Sequence, residues 1–225
     1  MGDMDSRITQ IMTNIDRAAR KTGRRGQDIT LVAVSKMVDN ASVRQAYDLG
    51  IVDFGENRVQ EFTRKINNLP QARWHLIGRL QTNKVKDIVG RAFLIHSLDR
   101  WALAQEINKR GQYLDIKVPV LVEVNISGEE SKAGFEAKEV DNFLQSIGEL
   151  NNIQVLGLMT IAVQDSDPEA SRPVFRELTL LKESLARKKY SNVNLKYLSM
   201  GMSQDYEVAI EEGANIVRIG SALFI

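Results

Sequence analysis

Eight short apolar, β-branched runs alternate with amphipathic helical segments from one end of this chain to the other. They fall at residues 30–35, 52–55, 74–78, 92–97, 118–126, 153–161, 196–200 and 216–220. Strict alternation demands parallel strands, because each helix is the crossover that returns the chain to the same end of the sheet. Eight such strands predict a closed (β/α)8 TIM barrel rather than an open doubly wound sheet.

The intervening segments carry the helical period. In 58–69, Val59, Phe62, Ile66 and Leu69 share a face, and in 136–150 Val140, Phe143, Leu144, Ile147 and Leu150 do the same. Helices are also predicted over 41–49, 84–89, 168–188 and 204–212. Asp99 is placed to cap the helix that carries Trp101, Ala104 and Ile107 and stops at Gly111. Only five residues follow the last strand, so the usual eighth helix is missing. A helix over 6–22, with Ile8, Ile11, Met12 and Ile15 on one side, is expected to close the outer ring in its place. No linker or composition shift divides the chain, and residues 1–225 read as one domain.

Composition narrows the function classes. With 30 basic against 29 acidic residues the net charge is +1, so no electrostatic footprint for nucleic acid or an anionic membrane is present. Cysteine is absent, which excludes disulfides, thiolate zinc sites and cysteine nucleophiles and fits a reducing compartment. The apolar runs are too short to span a bilayer, and the N-terminus lacks an apolar signal core. Met1-Gly2-Asp3-Met4-Asp5-Ser6 matches the myristoylation pattern, which is too short to carry weight.

In a barrel of this kind, function belongs at the carboxyl ends of the strands. Lys36 follows the first strand, where an amine leaving the core can lose its proton and attack a carbonyl. The bland alternative is a lysine reaching solvent over its packed stem. Asn57 follows the second strand and His75 lies within the third, where a histidine is commonly a hydrogen-bonded core residue. With only His75 and His96 in the chain, a zinc site is not expected. The seventh strand runs into Ser199-Met200-Gly201-Met202-Ser203 and the eighth into Arg218-Ile219-Gly220-Ser221. Loops after these two strands often bind phosphate through backbone N–H groups, although each glycine could equally be a plain turn residue. Arg218 is expected to point into the mouth, facing a ligand acceptor or a structural partner such as Glu56.

Taken together, these segments resemble the pyridoxal phosphate homeostasis proteins, a family related to the barrel domain of alanine racemase. The resemblance rests on Val34-Ser35-Lys36, Phe54-Gly55-Glu56-Asn57, residues 74–84, Glu130-Ser131-Lys132-Ala133-Gly134, Leu198–Ser203 and Val217-Arg218-Ile219-Gly220. It implies a fold-type III arrangement and a cytoplasmic monomer that binds pyridoxal 5′-phosphate (PLP) without established turnover. It further implies that Lys36 forms the internal aldimine and that Arg218 faces the pyridine nitrogen. Ser199, Met200, Gly201, Met202, Ser203, Gly220 and Ser221 would line the ring and phosphate site, with Asn57 and His75 near the cofactor. Family members generally run a few residues past this point, which leaves contacts beyond Ser221 open.

Three functions compete at this stage. The first is a holder of PLP that supplies PLP-dependent apo-enzymes, with Lys132 a second lysine of open role. The second is an amino-acid racemase of the alanine racemase type, which needs another acid/base on the far face of the cofactor. None of the five tyrosines follows a strand end in an equivalent way. The third is an aldolase-like barrel with a Schiff-base lysine, for which no convincing carboxylate set accompanies Lys36.

Overall fold

The computed structural model of the chain describes residues 3–129, 132–162 and 165–225. The Met1-Gly2 and Glu130-Ser131 pairs named above lie outside these. The first helix, α1 (Asp3–Lys21), precedes the strands, which run β1 (Thr30–Val34), β2 (Asp53–Glu56), β3 (Arg73–Leu76), β4 (Leu94–Leu98) and β5 (Val118–Asn125). A two-residue strand, β6 (Phe135–Glu136), comes next, followed by β7 (Ile153–Met159), β8 (Val193–Ser199) and β9 (Ile216–Ile219). All pairings are parallel, in the order β4-β3-β2-β1-β9-β8-β7-β5, and a β4–β5 pairing closes the ring. The expected eight-stranded barrel is therefore present. The addition, β6, lies outside it along the end of β5, with Val124 opposite Phe135.

Side-chain alternation sorts the strand residues into two cores. Val32, Leu94, Leu121, Met159 and Ile216 meet inside the barrel. Their neighbours in sequence, such as Leu31, Ala33, Ile95, Val122 and Val217, face outward into the larger core beneath the helices. There Trp74 packs on Phe54 with ring centroids 5.4 Å apart, and its indole N–H donates to Leu69 O at 2.9 Å. Each such fully buried aromatic or branched side chain contributes about 1.5–3 kcal/mol by removal from water.

The outer helices are α2 (Asn40–Asp48), α3 (Val59–Asn68), α4 (Val85–Ile88), α5 (Trp101–Tyr113), α6 (Ala137–Ser146), α7 (Arg172–Ala186) and α8 (Tyr206–Glu211). Asp39 caps α2 by accepting from Ser42 N at 2.7 Å. Two expectations for α5 fail. Its N-cap is Arg100, because the Asp99 carboxylate is occupied by Arg100 and by Arg79, the latter at 3.4 Å. It also runs past Gly111. That glycine is a close-approach residue, since a Cβ there would lie 2.9 Å from Asn152 O.

A four-residue helix, α9 (Ser221–Phe224), follows the last strand, where no helix was expected. The first helix covers this side of the ring as anticipated, with Ile8, Ile11, Ile15, Ala18 and Ala19 buried, but Met12, expected on the same face, is 40% exposed. Asn14 donates to the Tyr206 hydroxyl at 3.0 Å, and Arg17 and Lys21 pair with Glu207 and Glu211 at 2.8 and 2.6 Å. At the other end Arg7 donates to Ile225 O at 2.8 Å.

Candidate functional site at the barrel mouth

A cavity of about 700 Å³ opens at the carboxyl ends of the strands. Of the residues singled out in the sequence, Lys36, Asn57, Met202, Ser203, Arg218, Gly220 and Ser221 line it. The other four do not. Ser199, Met200 and Gly201 are buried beneath its floor, and His75 sits deeper still, inside the barrel. Strand alternation is the reason: Ser199 and His75 point inward below the mouth, and the chain turns away from the cavity at Met200.

Lys36 occupies the turn that ends β1. Ser35 O accepts from Val38 N at 2.9 Å, and Met37 adopts φ 61°, a left-handed conformation uncommon for a methionine. The turn carries Lys36 out of the strand to an exposed position on the rim, further into solvent than a half-buried strand end. Below it lies a group that was not anticipated. Lys65 of α3 is 1% exposed, donates to Ser35 O, and pairs with Glu56 at 2.6 Å. The same Glu56 oxygen accepts from Ser35 Oγ at 2.7 Å. Glu56 is thus committed to Lys65 on the outer side of the sheet and is not the partner of Arg218. Lys65 was legible in principle, because it falls three residues after Phe62 and four before Leu69 on the apolar face.

Arg218 is 5% exposed and borders the cavity. Its Nη1 donates to Ser199 Oγ at 2.6 Å and its Nη2 to Thr160 O at 2.9 Å. Burial lowers its pKa to about 10, with Glu123 and Asp205 pulling the other way, so the guanidinium stays charged at neutral pH. Five N–H donors on a planar fork leave several for the cavity. Behind Arg218 the polar chain continues. Ser199 Oγ lies 2.9 Å from His96 Nδ1, His96 Nε2 lies 2.9 Å from His75 Nδ1, and His75 Nε2 lies 3.0 Å from Asp53 Oδ1.

Glu123 on β5 is a second residue that sequence reasoning missed. It faces the cavity and is 7% exposed. Burial, reinforced by the Asp99 carboxylate, pushes it up to about 7 against the pull of Arg218 and Arg79. Its inward position could have been read from alternation with Val122 and Val124. Lys132 also borders the cavity, its Nζ 3.1 Å from Glu129 Oε1.

The loops after β8 and β9 meet at Ser203, whose Oγ accepts from Gly220 N at 3.2 Å and Ala222 N at 3.4 Å. The backbone N–H groups of Ser203, Gln204 and Ser221 donate to no acceptor among the described residues. Gly201 is a turn residue, at φ 90° with its missing Cβ directed at Ala209. The two loops nevertheless gather donors at one side of the mouth, an arrangement suited to an anion.

Comparison with known proteins identifies the family of this barrel. The family described as "Alanine racemase, N-terminal domain" matches residues 7–225. A pyridoxal phosphate homeostasis protein from Aquifex aeolicus is 48% identical over 220 residues, covering 97% of this chain and 96% of that protein. The structure of PipY from Synechococcus elongatus PCC7942 with PLP bound superposes with a TM-score of 0.85 at 30% identity, covering 99% of this chain and all of PipY. An alanine racemase from Clostridium difficile 630 shares the fold, with a TM-score of 0.71 at 18% identity over 94% of this chain and 57% of its own. The chain belongs to the pyridoxal phosphate homeostasis protein family, built on the alanine racemase N-terminal barrel.

Proposed function

We propose that this chain binds PLP at the barrel mouth, holds it covalently through the Lys36 amine, and serves intracellular PLP homeostasis rather than turnover. One observation carries the reading: a lysine amine, a buried arginine and the N–H groups of two loops converge on a single cavity. Each suits one part of PLP. The amine matches the aldehyde, the arginine matches an acceptor on the ring, and the donors around Ser203 and Ser221 match the phosphate. The volume lies within the range of small-molecule sites.

Bound PLP supplies an electron sink whose strength depends on protonation of its ring nitrogen. Arg218, being donor-only and charged, opposes that protonation and so restrains carbanion chemistry. The racemase alternative needs a second acid/base on the far face of the cofactor, a role that falls to a tyrosine in the alanine racemase type. The tyrosines lie elsewhere: Tyr206 packs against α1 beside Asn14, Tyr190 donates to Asp141, and Tyr197 faces the barrel interior. The names of the relatives support the homeostasis reading as well.

In this reading the protein works as a cytoplasmic monomer that passes PLP to PLP-dependent apo-enzymes. Asn57, Met202 and Gly220 contact the cofactor, while Ser199, Met200, Gly201 and His75 act from below it. Incubation with PLP, borohydride reduction and peptide mass analysis test the central claim. A pyridoxyl adduct on Lys36 that disappears in Lys36→Ala is expected. An unmodified Lys36, or steady racemisation of alanine by the purified protein, would overturn it.

A further inference from the structure

Arg218 is the mouth end of a buried polar chain that crosses the inside of the barrel to its opposite end. The members are Arg218 on β9, Ser199 on β8, His96 on β4, His75 on β3 and Asp53 at the start of β2, linked by contacts of 2.6, 2.9, 2.9 and 3.0 Å. All five are 5% exposed or less. Beyond Asp53, Arg73 closes the chain at 2.5 Å.

With both imidazoles neutral, the chemistry of the two ends fixes the direction of every bond between them. A guanidinium can only donate and an ionised carboxylate can only accept. Ser199 Oγ accepts from Arg218 and donates its own proton to His96 Nδ1. His96 must then carry its proton on Nε2 and donate it to His75 Nδ1. That leaves His75 to donate from Nε2 to Asp53. One arrangement satisfies all five groups, with both rings neutral and protonated at Nε2. Other tautomers of the neutral rings put two protons or two lone pairs face to face at buried positions, at the cost of a buried unsatisfied group. Burial, with the Arg218 guanidinium behind it, holds His96 well below the usual histidine range, which keeps that ring neutral.

We propose that His75 and His96 are positioning residues: the Asp53–His75–His96–Ser199 chain orients the Arg218 guanidinium from behind, so that its remaining N–H groups face the ring acceptor of the ligand. The apolar lining around the chain (Val32, Leu94, Leu121) offers these polar groups no competing partner. Among the described residues, Arg218 is otherwise tied only at Nη2, to Thr160 O. Loss of the Ser199 contact leaves the fork free to rotate about its long stem.

The ligand in this proposal is the PLP of the preceding reading, but the polarity of the chain is a property of the unloaded protein. Nitrogen NMR of histidine-labelled protein without PLP should show both imidazoles neutral with the proton on Nε2. A proton on Nδ1, or a charged ring at neutral pH, in either histidine overturns the proposal whether or not PLP binds. The second arm measures PLP dissociation and the absorption band of the bound cofactor in His75→Leu, Ser199→Ala and the double variant. Residues that orient a ligand-holding group from behind typically contribute on the order of tenfold in affinity. Ser199→Ala should weaken PLP by about that factor and shift the band. His75→Leu should do so in the parent but add nothing in the Ser199→Ala background. Effects that multiply instead would show that His75 acts through general stability, and the proposal would fail. Absence of any PLP adduct in the parent would sink the cofactor reading and leave the NMR arm to judge the chain.

Discussion

Lys65 places its buried ammonium directly under the carbonyl of Ser35, the residue that precedes the candidate nucleophile Lys36. The same ammonium neutralises Glu56, which in turn holds the Ser35 hydroxyl. Three elements, β1, β2 and α3, are thereby pinned at one point below the rim. The turn that presents Lys36 therefore has a fixed base, although Lys36 itself is exposed.

Removal of one partner from a fully buried ion pair leaves the other charge without compensation, which typically costs about 3–5 kcal/mol. Lys65→Met is expected to lose stability on that scale in denaturant titration. The double change Lys65→Met with Glu56→Gln should recover a large part of it. A Lys65→Met variant as stable as the parent would show that the pair contributes nothing to the rim.

Glu123 gives the stability a pH signature of unusual sign for a carboxylate. Its ordinary value is 4.5, and burial beside Asp99 raises it to about 7 in the folded chain. Between those values the folded state binds more protons than the unfolded one, so stability falls as pH rises through this window. Glu123→Gln removes that dependence. The variant should gain on the parent progressively from pH 4.5 to 7, reaching on the order of 3 kcal/mol above it. Parallel stability–pH curves for the two proteins would refute the assignment.

Ser203 ties the two anion-facing loops together through Gly220 and Ala222. Its hydroxyl and the free N–H groups beside it favour a phosphate over a neutral group. In Ser203→Ala, PLP should bind about tenfold more weakly, the scale of one hydrogen bond to a charged group. Pyridoxal, which lacks the phosphate, should be unaffected. Equal losses for both ligands would place the phosphate elsewhere.

The alternation of strands and helices was readable because β1, β5 and β7 are mostly apolar runs, whereas β2 and β3 carry two charged or polar residues each and were read from their apolar neighbours. The β8 strand shows the limit. Val193, Leu195 and Tyr197 alternate with Asn194 and Lys196, so the run looked apolar only near its end and its start was missed. The rim residues Lys36 and Ser203 were legible because they follow strand ends, and Arg218 because it is the one charged residue within β9. Their depth was not: Ser199 and Arg218 are neighbours in space through a sheet register that pairs Ser199 with Ile216. Lys65 and Glu123 were passed over because charge was read as exposure. His75 needed a partner 21 residues away, His96, to explain it.

The first helix offers a test of the outer ring that is independent of the mouth. Ile15 is wholly buried on the face that α1 turns toward the barrel. Polar ties flank that face, from Asn14 to the Tyr206 hydroxyl and from Arg17 to Glu207, but exposed pairs of the latter kind contribute little. Apolar burial must therefore hold the helix against the outer ring. Truncation of a buried isoleucine costs its transfer energy and that of the cavity left behind, together about 2–5 kcal/mol. Ile15→Ala should show this loss in denaturant unfolding and leave PLP dissociation unchanged, since Ile15 does not border the mouth. A loss below about 1 kcal/mol would mean that α1 is held by its polar rim instead, and Asn14→Ala and Arg17→Ala would then have to carry the difference.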